Sequence, residues 1–107
     1  MKDFMGMMQK AQQLQERAQQ VQAEAAEHVV EGSAGAGMVS VSLTAKGDLR
    51  SIRIDPSLLK PEEAEILEDL MVAAHADARS KGEAFLQEKM SEITAGLPIP
   101  PGMKLPF

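Results

Sequence analysis

Apolar and polar positions change their rhythm twice along this chain. Phe4, Met7, Ala11, Leu14, Ala18, Val21, Ala25 and His28 recur at alternating spacings of three and four. That spacing lays them along one narrow stripe and predicts a helix from about Asp3 to Glu27, packed against one or two other helices. From Val39 the period drops to two. Val39, Val41 and Leu43 alternate with Ser40, Ser42 and Thr44, and Ile52 and Ile54 with Ser51, Arg53 and Asp55. Alternation of that kind marks strands with one buried and one wet face. Ala45-Lys46-Gly47-Asp48 supplies the turn between these two strands. Gly35 and Gly37 supply a looser one, which makes Val29 to Ala34 a first strand. The helical period returns after Pro61, where Leu67, Met71, Ala74, Ala78, Gly82 and Phe85 share a face that Leu86, Met90 and Ile93 extend. This second helix runs to about Thr94. Pro61 suits its first position, and Glu62, Glu63 and Glu65 suit the positive end of its dipole.

The fold class expected is therefore α+β. A long N-terminal helix leads into a three-stranded antiparallel meander, and a long C-terminal helix follows. Residues 1–95 form one domain. Residues 96–107 form a tail whose prolines exclude both a helix and an interior strand. The tail is nonetheless apolar at Leu97, Ile99, Met103, Leu105 and Phe107, so it is expected to dock on its own dimer or on a partner. Pro56 and Pro61 bracket a segment with room for one helical turn. Gly82 costs its helix about 1 kcal/mol relative to Ala, which points to close packing against a neighbouring helix or the sheet.

Composition adds an oligomer to this picture. With 3 Phe and no Trp or Tyr in 107 residues, the core is built from aliphatic side chains, which bury less area apiece than aromatic ones. A second copy is the simplest way to complete such a thin core. The absence of cysteine excludes disulfides, thiol catalysis and thiolate metal sites. No apolar run approaches the roughly 20 residues of a membrane span, and the N-terminus is too quickly polar for a signal peptide. A cytoplasmic protein without membrane attachment is expected.

The net charge of −5 counts against a nucleic-acid partner. However, most of the excess negative charge falls between residues 56 and 95, and the rest of the chain is close to balanced. Around the first helix, Gln9, Gln12, Gln13, Gln15, Gln19, Gln20 and Gln22 accompany Lys10, Arg17, Glu16 and Glu24, a nearly neutral surface rich in hydrogen-bonding groups. This is either an ordinary solvated face or one that meets phosphates and base edges. The outward side of the strands gathers Ser40, Ser42, Thr44, Lys46, Ser51 and Arg53, short hydroxyls and cations that suit phosphate contacts. Arg50 has the opposite parity but lies near the hairpin end, within reach of solvent. Gly32 to Gly37 lacks the Gly-Lys-Ser/Thr of a phosphate loop and opens a strand, so it reads as a turn. His28, on the apolar seam, reads as structural. His75 lies far from it in sequence, and neither suggests a metal site. No nucleophile, base or tuned carboxylate pair stands out. An enzyme is not expected, and no cofactor is implied.

Several stretches together resemble the YbaB/EbfC family of bacterial nucleoid-associated proteins. They are Met8 to Gln15, the Gly32–Gly37 loop with Met38-Val39-Ser40-Val41, Ile54-Asp55-Pro56-Ser57-Leu58-Leu59, Leu67-Glu68-Asp69-Leu70 and the ending Leu97 to Phe107. The resemblance implies a homodimer joined mainly through the sheet, with helices projecting like tweezers. It implies double-stranded DNA as partner with low sequence specificity, a place in the nucleoid, an influence on gene expression, and neither enzymatic activity nor cofactor. It also implies an indirect recombination-repair partner, because genes of the family often lie beside recombination-repair genes. The alternative is a protein-interaction adaptor linked to recombination or repair, without direct DNA function. Charge placement selects Lys10, Arg17, Lys46, Arg50 and Arg53 as the expected phosphate contacts.

Overall fold

The computed structural model describes residues 2–94. Helix α1 spans Lys2–Glu27, strands β1, β2 and β3 span Val29–Ala34, Val39–Thr44 and Leu49–Ile54, and helix α2 spans Ala64–Thr94. Two single 3-10 turns, Pro56–Leu58 and Pro61–Glu63, lie between β3 and α2. The first of these is capped by Asp55, whose Oδ1 accepts from the Ser57 N–H at 2.8 Å and the Ser57 hydroxyl at 2.7 Å. Both donors stabilise the carboxylate and hold the Asp55 carboxyl below its ordinary value. The expected order of elements is the observed one. The expected tail, residues 96–107, lies outside the described residues.

The strands form an antiparallel meander in the order β1-β2-β3. The loop between β1 and β2 uses three consecutive left-handed residues, Gly35, Ala36 and Gly37, closed by the Met38 N–H donating to the Gly35 carbonyl at 3.1 Å. Val41 stands opposite both Gly32 and Ile52, and Val39 opposite Ala34 and Ile54, so these side chains share the inner face. The ladder steps from Ser42–Ser51 to Leu43–Leu49 and leaves Arg50 as the extra residue of a bulge. Without that insertion Arg50 would stand opposite Leu43, a fully buried core residue. The bulge is what lets a cation occupy an inward-parity position and still reach solvent.

Helix α2 lies across β1 and β2. Its contact stripe is made of small residues, Ala74 and Ala78, both without exposed surface, and Gly82. Together with Val39, Val41, Leu43 and Leu58 the two alanines form the core. A side chain at Gly32 would run into the backbone N of Ala78 and the backbone O of Ala74, so strand and helix meet main chain to main chain there. At Gly82 an added carbon would lie 3.2 Å from the Ala45 Cα and carbonyl oxygen, so the packing inferred for this glycine is against the β2–β3 hairpin.

Two expectations about the sheet change in this light. Ile52 has the inner parity but is 40% exposed, because α2 covers β1 and β2 and leaves β3 to one side. Thr44, expected on the wet face, is buried, and its Oγ1 accepts from the Asp48 N–H at 3.1 Å to lock the hairpin. Alternation stops there because the chain is already turning.

The stripe of α1 is covered over only part of its length. Val21 and Ala25 are buried and Leu14 and Ala18 half-buried, with Ile93 of α2 also buried. His28 stacks on Phe85 with ring centres 3.9 Å apart, in keeping with a structural role. Because His28 meets Phe85 while Arg17 and Val21 line a groove with Lys89 and Ile93, the helices run antiparallel. Toward its start α1 stands clear of the body, with Phe4, Met5, Met7 and Met8 each more than half exposed. The molecule measures 71 × 26 × 16 Å.

Candidate nucleic-acid interface

The five cations expected to contact phosphate are all exposed, and they occupy three places. Lys10 and Arg17 are seven residues apart, two helical turns, and so fall on one face of α1. They line a shallow groove there with Gln13, Glu16 and Gln20. Two cations and two amides along the exposed side of α1 form a surface able to track a phosphate backbone. Glu16 is the one acidic group among them.

Lys46 sits at the tip of the β2–β3 hairpin, beside α2. The bulged Arg50 donates from its terminal Nη2 to the Ala26 carbonyl at 3.3 Å. That bond supplies a donor to the last turn of α1, which contains no basic residue of its own. Arg50 is therefore partly committed to closing a helix. Arg53 stands opposite Ser40 on the face turned away from α2, next to the Ser42–Ser51 pair. Glu31 and Ser33 of β1 share this face, opposite Ser42 and Ser40.

Pairing separates the cations of α2 from the five expected contacts. On α2, Arg79 pairs with Glu83 at 3.1 Å, Lys81 with Asp77 at 3.3 Å and Lys89 with Glu92 at 3.9 Å. Among the described residues, Lys10, Arg17, Lys46, Arg50 and Arg53 form no ion pair. Unpaired cations attract phosphate without first giving up a partner. The acidic Glu62, Glu65, Glu68 and Asp69 gather at the start of α2 and are exposed, so an approaching polyanion is repelled from that end.

Sequence reasoning did not bring Arg79 or His75 into this set. In the chain Arg79 reads as half of an ordinary i,i+4 pair with Glu83, and His75 as an isolated polar residue on a helix. Only the descent of the hairpin onto Gly82 puts both beside Lys46. No signal in the sequence links residues so far apart.

The model of the YbaB/EbfC DNA-binding family matches residues 1–97 of this chain. The chain belongs to that family. It is similar to a nucleoid-associated protein of Agrobacterium fabrum (strain C58), with 59% identity over 100% of both chains. It is also similar to one of Bradyrhizobium sp. (strain ORS 278), with 62% identity over 95% of this chain and 96% of that one. Among solved structures it resembles the uncharacterized protein HP0035 from Helicobacter pylori, with 24% identity and a TM-score of 0.67 over 80% of this chain and 89% of that one. That likeness shows the fold. Among the described residues, no helix is long and apolar enough to cross a membrane.

Proposed function

We propose that this member of the YbaB/EbfC family binds duplex DNA in the nucleoid as a homodimer, through the phosphate backbone and with little preference for sequence. The observation that carries the reading is the placement of the cations. Lys10, Arg17, Lys46 and Arg53 are exposed and unpaired on α1, the hairpin and β3, while most of the acidic excess lies along α2 and the turn before it, and the cations of α2 are paired. An overall charge of −5 is compatible with DNA because phosphates respond to the nearby field rather than the distant sum. Contacts of this type set position but carry no base code, which accounts for low specificity and suits a role in organising the nucleoid and influencing expression broadly.

A homodimer is supported by what β3 leaves uncovered. Leu49 is 56% and Ile52 40% exposed, although both belong to a strand paired on only one edge. A second copy seated along β3 completes this face and doubles the number of phosphate-facing cations. Arg53 then lies at the margin of the seam, which makes Lys10, Arg17 and Lys46 the stronger DNA contacts.

Equilibrium binding to mixed-sequence duplexes across a salt series tests the reading. Affinity should fall steeply with salt, by about 0.9 log units per log unit for each phosphate neutralised. Charge reversal at Lys46 and Arg53 together should weaken binding to all duplexes alike. Retardation of no duplex at low salt would overturn the proposal.

A further inference from the structure

The geometry points to a phosphate seat between the β2–β3 hairpin and α2, in which Lys46, Arg79 and His75 grip one phosphodiester of the DNA backbone. The inference rests on the DNA-binding reading above and adds to it a place and two residues. The groove is about 370 Å³ in volume. It exists because Gly82 carries no side chain. The Ala45 main chain settles directly on α2, and the hairpin tip comes to lie over the turns that precede Gly82. Arg79 is three residues before Gly82 and His75 four before Arg79, so both fall on the helix face beneath the hairpin, and Lys46 faces them across the groove.

The charges and donors suit a phosphodiester. Glu83 is the acidic side chain lining the groove, and its carboxylate is engaged by the Arg79 Nε at 3.1 Å. That bond uses one of the five guanidinium N–H groups, orients the plane and leaves both terminal amino groups free to donate. With Glu83 offsetting Arg79, Lys46 leaves one net positive charge, against the single negative charge of a phosphodiester. An imidazole N–H on His75 adds a donor. The hairpin adds another. The Ala45, Gly47 and Asp48 amides donate to the His28 carbonyl, the Thr44 carbonyl and the Thr44 hydroxyl, but the Lys46 amide has no protein partner among the described residues.

The test measures duplex binding against salt for the full chain and for R79Q, K89Q, E83Q, K46Q and the double variant K46Q/R79Q, with thermal melting to confirm that each is folded. R79Q should weaken binding three- to tenfold and reduce the slope of log affinity against log salt by about 1. K89Q removes the same charge from the same helix outside the groove, and should change affinity less than twofold. E83Q removes the competing anion and should tighten binding several-fold, a gain that no loss of packing produces. The double variant should lower the slope by about 1 rather than 2, because both side chains serve one phosphate. Equal losses in R79Q and K89Q, weaker binding in E83Q, or additive slopes would overturn the seat. If the wild type binds with a steep slope and R79Q is silent, only the seat fails. If the wild type binds no duplex, the DNA-binding reading fails and takes the seat with it.

Discussion

Gly32 shows how much one position decides. It lies in the middle of β1, where a strand interior ordinarily prefers a β-branched residue. The cost of glycine is accepted because Ala74 and Ala78 of α2 press their main chain against it. A methyl group there meets backbone atoms, which cannot swing aside as a side chain can. Gly32→Ala should therefore destabilise the fold by about 3 kcal/mol, at the upper end for overpacking, measured as a lower urea midpoint with an unchanged slope. Arg50 makes a related point about parity. One inserted residue in β3 converts what would be a buried cation into an exposed donor for the Ala26 carbonyl.

Between elements, the contact of α2 with β1 is more than apolar. β1 is an edge strand, and its outward groups would be open to pairing with another chain. Two side chains of α2 occupy two of them. The Ser33 N–H donates to Asp77 Oδ2 at 3.1 Å, and Lys81 Nζ donates to the Glu31 carbonyl at 2.8 Å. Lys81 and Asp77 also pair at 3.3 Å, so helix, ion pair and strand edge form one clamp. The Ser33 amide, and after it Lys81, hold the Asp77 carboxyl below its ordinary value of 3.8. A carboxyl lowered in the folded state contributes stability above its unfolded value, and that contribution is lost as pH falls through the lower folded value. The urea midpoint should therefore hold from neutrality to roughly pH 5 and drop below about pH 4. Asp77→Asn should flatten that drop, and adding Asp55→Asn should flatten it further, since Ser57 lowers Asp55 in the same sense. Equal acid sensitivity in wild type and double variant would rule out both contributions.

For the whole molecule, the two edges of the sheet are treated differently. β1 is clamped by α2, whereas β3 is open and carries Leu49 and Ile52. A second copy is expected on the open side. Ile52→Glu places a carboxylate in that seam and should convert a particle with the mass of two 11.5 kDa chains into one of a single chain, read by sedimentation or light scattering. DNA affinity should fall with it, because each protomer then binds alone. A dimer that persists in Ile52→Glu would move the interface away from β3.

The order of elements follows from the chain itself, because period, turn glycines and prolines act locally. The three-and-four spacing of α1, the alternation of β2 and the bracketing Pro56 and Pro61 need no knowledge of what lies across the fold. The inner identities of Val39, Val41 and Leu43 follow in the same way, as does the family through its distributed motifs. What α2 covers was decided only in three dimensions. Parity says that Ile52 faces inward, but a helix is narrower than a three-stranded sheet, so β3 is left mostly uncovered, with only Ile54 packed against the core. Parity also assigned Thr44 outward, and the hairpin buried it to satisfy the Asp48 amide. The neighbours of Lys46 belong to the same class. Arg79 and His75 reach it only because a missing side chain at Gly82 lets main chain meet helix, a contact between distant parts of the chain that no local pattern records.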